Sequence, residues 1–336
     1  MLSAGDKKIS YMISVIIPYY NPNRDSESER LLHRAILSVR DNLDGLIPYE
    51  VILVNDGSPG DPDMRPFGGM PLYYTKRAHG MLGAARNTGI DNAKGDMLAF
   101  LDADDYYFPG TLVPCIKAME QNGADLVGFG FRTTRTSAPA DCPVSGKPAF
   151  SALCTGNEYM SQGNLFSGAW QFIISTRLIR GHGLRFMENR YIEDEEFTPR
   201  LLFFSKRMTY ARHPVYAYYV HPGTIITSHS AQNTELKSSH TIAAIQSLLE
   251  FRQEHSTEQH DGLDKKIDSL AIDQLRRTLR RKDWHDALPV QIRALQRMGL
   301  FPLRADSLPA RSRLFAALSG NRTGQYLLHL IELFYK

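Results

Sequence analysis

Cysteine is scarce and unpatterned in this chain of 336 residues: Cys115, Cys142 and Cys154 are odd in number, widely spaced and form no C-x-x-C pair. Neither a disulfide framework nor a zinc site is indicated, and a reducing cytosol fits best. No stretch of about 18 consecutive apolar residues occurs, the length that a spanning helix requires. The opening MLSAGDKKISYMISVIIPYY holds a short apolar run with lysines before it and Pro-Tyr-Tyr behind it, which is not the layout of a signal peptide. A net charge of +3 is too small, without a concentrated patch, to argue for nucleic acid. No internal repeat is present. The first strand-like run is followed by PYYNPN, where a dinucleotide dehydrogenase would want G-x-G-x-x-G.

Apolar β-branched runs are plentiful. ISVIIPYYN, from Ile13 to Asn21, and YEVILVNDGS, from Tyr49 to Ser58, are nearly continuous and end in turn residues, the pattern of strands covered on both faces. Between them ERLLHRAILSVRDNL sets Leu31, Leu32, Ala35, Ile36 and Val39 at helical spacing, which completes a β-α-β unit. The alternation continues through GAARNTGIDNAKG, DMLAFLD, PGTLVPCIKAMEQN and ADLVGFGFR. It predicts an α/β fold: an open, mostly parallel sheet flanked by helices, binding its ligands beyond the carboxyl ends of the strands. From about 133 to 163 the composition turns to Ser, Pro, Gly and Thr, which predicts a loop or seam. After about Ser230 the pattern is helical: TIAAIQSLLEFRQEH, LDKKIDSLAIDQLRRTLRRKDW, VQIRALQRMGL and LFAALSGNRTGQYLLHLIELFYK.

One octapeptide demands a chemical explanation. FLDADDYY, Phe100 to Tyr107, crowds Asp102, Asp104 and Asp105 directly behind an apolar run. Carboxylates packed this closely resist ionising beside one another unless solvent or a cation offsets the repulsion. Aspartate oxygens suit Mg2+ or Mn2+, and Mg2+ is commonly held by one or two carboxylates together with substrate phosphate oxygens. A solvated turn with an N-cap ahead of a helix near Pro109 is the plainer alternative.

The order VIIPYYN, ILVNDGS, GAARNTGI, FLDADDYY, EDEEF and YAYYVHPGTIITS resembles the family 2 glycosyltransferases, inverting nucleotide-sugar enzymes of the Rossmann-like GT-A fold. The likeness runs from about Ile13 to Ser230. It implies two halves of one domain, a nucleotide-sugar-binding half over 11–135 and an acceptor-binding and catalytic-base half over 136–230; the helical pattern that follows predicts a C-terminal extension over 231–336, about which the resemblance implies nothing specific. Asp56 would accept from a uracil N3–H, with Gly57 freeing the turn and Pro18 and Tyr19 flanking the base; an ordinary Asp-Gly-Ser turn is the alternative. Arg86 would pair with the diphosphate or brace the carboxylates, with Asn87 beside it. Asp102-Ala103-Asp104 matches the family's D-x-D motif. Asp104 would bind Mn2+ or Mg2+, Asp102 would contact the ribose or a metal-bound water, Ala103 is too small to obstruct the sugar, and Asp105 would brace the turn.

Inversion needs a base to take the acceptor's proton. Asp194 matches the aspartate of the family's E-D motif, with Glu193 as its rival; acidic residues in a first helical turn are also favoured by the helix dipole alone. Trp170 would stack on an acceptor sugar, or simply pack in the core. His221 would coordinate the ion or touch the diphosphate, and Thr224, Ser228 and His229 would share a loop that closes over the donor phosphates. The run LRRTLRRK, with Arg276, Arg277, Arg280, Arg281 and Lys282, reads either as a surface for anionic lipid at the inner face of the plasma membrane or as a solvated helix face. YLLHLIELFYK is apolar enough to dock on a partner or the bilayer edge. The implied activity is transfer of a sugar, with UDP the expected nucleotide, to a hydroxyl of a glycan or lipid-linked glycan in bacterial surface-polysaccharide synthesis. A binding module of the same fold without turnover is the other reading. An aspartate-nucleophile phosphatase would carry its D-x-D after the first strand, with Thr or Val where Tyr106 stands. Without a channel or a Q-x-x-R-W motif, processive synthesis is not indicated.

Overall fold

The structure is a computed structural model that describes residues 11–141, 146, 148–221 and 231–334. Cys142 and the candidate loop residues Thr224, Ser228 and His229 lie outside the described residues. The chain divides into two compact units. One comprises Met1–Cys154, Gly168–Arg190 and Ser205–Thr227; the other comprises Thr155–Ser167, Tyr191–Phe204 and Ser228–Lys336.

The first unit is built on an eight-stranded sheet. Its strands are β1 (Ile13–Tyr19), β2 (Tyr49–Asn55), β3 (Leu72–Lys76), β4 (Met97–Phe100), β5 (Tyr106–Tyr107), β6 (Leu126–Thr134), β7 (Phe172–Ser175) and β8 (Met208–Tyr219). In space they run β3-β2-β1-β4-β7-β6-β8-β5. The β3-β2-β1-β4 half is parallel, as the β-branched runs require. The other half is mixed: β7 runs antiparallel to both β4 and β6, β8 is parallel to β6, and β5 is antiparallel to β8. Every residue of β1 is buried, and α1 (Ser26–Leu43) brings Leu32, Ile36 and Val39 to full burial, each contributing roughly 1.5–3 kcal/mol. Asp25 caps α1 by accepting the Ser28 amide at 2.7 Å.

Register places the functional edge. β1 and β2 end together, with Tyr19 opposite Asn55, so Tyr20 and Asp56 both emerge at the carboxyl ends. On the other flank of β1, the Leu101 amide donates to Ile16 O at 3.0 Å, which brings Asp102 to the same rim. Helix α2 (Met81–Asn92) lies against β1 so closely that a Cβ on Gly89 would come within 2.2 Å of Ile16 Cγ2. Arg86 sits one turn earlier on that helix. The unit is completed by α3 (Leu112–Asn122) and, after it in the chain, the short α5 (Thr176–Gly181), numbered to follow α4 of the second unit.

That second unit is helical: α4 (Gly156–Ser161), α6 (Glu193–Phe204), α7 (Ala231–Glu254), α8 (Asp261–Leu279), α9 (Trp284–Arg297), α10 (Ala310–Ser319) and α11 (Arg322–Phe334). A capping box of Thr155 and Glu158 starts α4. The stretch from Leu314 onward divides at Gly320 and Asn321, where the Asn321 side chain accepts the Gly324 amide at 2.9 Å and starts α11 afresh.

The basic run at the end of α8 is engaged within its own unit. Arg280 pairs with Glu332 at 2.5 Å, Arg276 stands 3.6 Å from the same buried carboxylate, and Arg281 reaches both Glu235 and Asp283 at 2.6 Å. Leu275 and Leu279 are buried between them. Of the expected solvated or lipid-facing stripe, Arg276 and Arg280 are thus paired with Glu332 on α11 and Arg281 with Glu235 and Asp283, while Arg277 and Lys282 stay exposed. It is α11 that leaves Tyr326, Leu327, Leu330 and Leu333 exposed.

Candidate functional site

The carboxylate cluster occupies a turn between β4 and β5, in which the Asp105 amide donates to Asp102 O at 3.0 Å. Its three acids have different surroundings. Asp105 is 2% exposed, accepting the Tyr216 hydroxyl and the Tyr219 amide, each at 2.7 Å. Burial, and then the charges of Asp104 and Asp102, push its carboxyl well above the usual range. The Tyr216 hydroxyl also accepts the Asp102 amide at 3.1 Å, so one phenol on β8 fixes both ends of the turn. Burial raises that phenol's pKa as well, which keeps its proton available to donate.

Asp102 receives the Arg86 guanidinium at 2.9 Å. Burial raises its carboxyl, Asp104 adds to the effect, and Arg86 opposes it. Arg86 is fully buried and lies over the rings of Phe100 and Phe186. Asp104 points outward, its side chain 40% exposed, with His221 Nε2 at 3.2 Å from Oδ2. Ala103, between Asp102 and Asp104, is half-buried. Thus Arg86, Asp102, Asp104 and His221 come together, and Asn87 donates to Phe186 O and Glu188.

Asp56 stands at the end of β2, 3% exposed. Its oxygens take the Gly80 amide at 3.0 Å and His79 Nδ1 at 2.9 Å. Burial raises this carboxyl, and Gly80, His79 and Arg77 moderate the rise. Gly57 has φ +82, and a Cβ there would meet His79 N at 2.7 Å, so the freedom read from the Asp-Gly pair is used. Tyr20 stacks on His79 with ring centroids 4.2 Å apart. Pro18 and Tyr19 are buried. The Tyr19 ring lines a cavity of about 380 Å³ with Asn21, Arg24, Glu29, Gly60 and Asp61.

Trp170 is 4% exposed, stacked on Tyr216 at 4.3 Å and edged by Phe131. In this structure the indole performs the core-packing role and offers almost no face to a sugar. Asp194 and Glu193 open α6 in the second unit, with Glu193 buried and Asp194 partly exposed. Their neighbours Glu195 and Glu196 are taken by Lys266 and Arg200, each at 2.5 Å.

Sequence reading missed Arg34. This buried arginine of α1 donates to the carbonyl of Asp104 and, at 2.7 Å, to that of Ser137, between the rings of Tyr106 and Tyr219. It sits next to Ala35 on an amphipathic helix, and local periodicity gives no sign that its guanidinium turns inward. His79 was missed too, its contact with Asp56 spanning 23 positions.

A metal at this rim has partial support from the donor chemistry. A carboxylate oxygen and an imidazole nitrogen suit Mn2+, and Asp104 accepts Mg2+ equally well. Among the described residues no cluster of three or more His, Cys, Asp or Glu side chains is disposed to hold an ion by itself. The remaining positions would fall to phosphate oxygens and water, the usual arrangement for Mg2+.

Comparison with known proteins agrees with this architecture. Residues 14–141 match the family model for Glycosyl transferase family 2. The uncharacterized glycosyltransferase EpsJ of Bacillus subtilis is 26% identical over 230 residues, 64% of this chain, and the match spans 62% of that relative's length. The succinoglycan biosynthesis protein ExoW of Rhizobium meliloti is 32% identical over 121 residues, 34% of this chain and 35% of the relative. In three dimensions the chain superposes on S. aureus TarS 1-349, crystallised with UDP-GlcNAc, with a TM-score of 0.64 at 16% identity, covering 96% of this chain and 89% of the other. Over residues 14–141 the chain is thus similar to glycosyl transferase family 2, and its fold is GT-A-like, similar to that of TarS.

Proposed function

We propose that this protein is a metal-dependent, inverting glycosyltransferase that moves a sugar from a nucleotide-sugar donor, a UDP-sugar, to a hydroxyl of a glycan or lipid-linked glycan during synthesis of a bacterial surface polysaccharide. The observation that carries the proposal is the Asp102-Ala103-Asp104 turn at the rim of the parallel half-sheet, with Arg86 behind Asp102 and His221 against Asp104. UDP is favoured because TarS was crystallised with UDP-GlcNAc, and a polysaccharide product because ExoW is named for succinoglycan biosynthesis.

In this reading Asp104 and His221 would hold Mn2+ or Mg2+, and Asp102 would orient the ribose or a water on the ion. The ion, when bound, neutralises charge on the departing diphosphate. Asp56 takes the base, with Tyr20 and His79 as an aromatic platform beside it, and Pro18 and Tyr19 shape the strand end. Arg86 holds Asp102 in place and opposes the protonation that burial favours. Asp194, or Glu193, removes the acceptor's proton as its oxygen attacks the anomeric carbon opposite the leaving nucleotide, which inverts the centre. An α-linked donor would give a β-linked product. Trp170 stacks on Tyr216, the phenol that fixes the Asp102–Asp105 turn.

No described helix is long and apolar enough to cross a membrane. We assign any peripheral contact with an anionic membrane surface to the exposed face of α11, where Arg322, Tyr326, Leu330 and Leu333 share a side by helical spacing. This reading places the protein in the cytoplasm, at the inner face of the plasma membrane.

A donor screen tests the proposal: UDP-, GDP- and dTDP-sugars with Mn2+, followed by release of the free nucleotide and by calorimetry. A UDP-sugar should be consumed, and Asp104→Ala should lose the metal-dependent part of UDP binding. Nucleotide binding without turnover on any donor would make the protein a binding module instead.

A further inference from the structure

The helices α7 and α8 lie outside the segment matched by the family model, and we propose a task for them: Lys266, with Ser247 and His240, clamps the acidic first turn of α6 in the geometry needed to take the acceptor's proton. The inference rests on the assignment of that base to Asp194 or Glu193.

The turn needs a clamp for two reasons. Glu193, Asp194, Glu195 and Glu196 are consecutive, and a helix N-terminus offsets only about 0.3–1 kcal/mol per charge at the surface. The chain also enters α6 through Asn189 and Ile192, both at positive φ, 55 and 61 degrees. A β-branched residue there is strained and persists only when its surroundings over-determine it.

The surroundings supply three fixings within the second unit. The Tyr191 amide donates to His240 Nδ1 on α7 at 3.0 Å, immediately before the strained Ile192. Ser247, two turns further along α7, donates to Glu196 at 2.8 Å. From α8, Lys266 Nζ reaches Glu195 at 2.5 Å and Leu165 O at 2.6 Å. The Lys266 side chain is only 5% exposed, against 33% for Glu195. Burial alone would raise the Glu195 carboxyl, but Lys266 and Ser167 reverse the effect and lower it. A lysine so deeply placed is costly without a partner, and its charge is delivered to the one turn where four carboxylates crowd. Lys266, Ser247 and His240 are thus positioning residues, acting through Glu195, Glu196 and the Tyr191 backbone.

The test compares Lys266→Met, Lys266→Arg and Glu195→Gln by hydrogen–deuterium exchange over 189–197, by calorimetry with UDP and Mn2+, and by steady-state kinetics on the donor identified in the screen. Lys266→Met should speed exchange in that segment and lower kcat about 10- to 100-fold, the scale of a catalytic group misplaced by an ångström. UDP affinity should stay at the wild-type value, and Lys266→Arg should recover most of the loss. If Lys266→Met does not fold, Glu195→Gln, which keeps the side chain's shape, decides by the same readouts. Wild-type exchange and wild-type kcat in the folded variants would overturn the inference, as would a parallel fall of UDP affinity and kcat. Asp194→Asn and Glu193→Gln are run alongside: if both turn over normally, it is the base assignment that fails.

Discussion

Replacing Arg86 by methionine removes a charge while keeping most of the side chain's bulk. The guanidinium is fully buried and pairs with Asp102 at 2.9 Å, and the Asp102 side chain is 21% exposed. Breaking a buried ion pair by deleting one partner costs roughly 3–5 kcal/mol, because the other charge stays desolvated. The residual exposure of Asp102 puts the expectation at the lower end, about 3 kcal/mol. The rings of Phe100 and Phe186, at 5.7 and 5.3 Å from the guanidinium carbon, should accept the methionine sulfur without further loss, since sulfur–aromatic contacts are themselves worth about 0.3–1.5 kcal/mol. Urea denaturation should show a lower midpoint with unchanged slope, and the melting temperature should drop by roughly 2–4 °C per kcal/mol. A cycle with Asp102→Asn should give a coupling of about 2–3 kcal/mol, the double variant being less damaged than the sum of the singles. A loss under about 0.5 kcal/mol, the range of ordinary surface substitutions, together with zero coupling, would refute the account of Arg86 as the counter-charge of the turn.

Three further outcomes are expected. Asp56→Ala should raise the KM for the donor about tenfold, the equivalent of one charged hydrogen bond, with a smaller change in kcat; a KM within about twofold of wild type would remove Asp56 from the base subsite. Asp268 on α8 is pushed up to about 6, first by burial, with Arg304 opposing. The folded chain therefore holds a proton that the unfolded chain releases near pH 4, and stability should fall as pH rises through that window. Asp268→Asn should recover on the order of 1 kcal/mol at pH 7.5, after discounting for solvent screening, and nothing below pH 4, as thermal melts across pH would record. Leu327→Glu with Leu330→Glu should abolish flotation with phosphatidylglycerol vesicles; retention equal to wild type would place any membrane contact elsewhere.

Much of the site was legible because it is local. ISVIIPY and YEVILVN declare a parallel sheet by composition, and a carboxylate pair at a strand end declares itself by proximity in sequence. What depends on long-range register was not legible. Nothing near Asp105 announces that Tyr216, 111 positions later, donates to it. Nor does the insertion of β7 between β4 and β6 follow from any local pattern, so the second half of the sheet proved more mixed than expected. The basic run misled for a similar reason. Its arginines alternate with leucines as on a solvated amphipathic helix, while Glu332, the partner of Arg276 and Arg280, lies 52 residues beyond Arg280. Tyr106 and Tyr107, which the sequence offers only as trailing aromatics, are a buried strand.

The central claim is a division of labour, with the nucleotide held by the Asp102-Ala103-Asp104 rim and the acceptor's proton removed from the first turn of α6. Its most direct measurement is sugar transfer by Asp194→Asn, set beside UDP affinity of the same variant in Mn2+. The account predicts wild-type UDP affinity with transfer reduced by at least about 100-fold, within the range that a positioned base contributes. Transfer at close to the wild-type rate, with Glu193→Gln equally active, would contradict it.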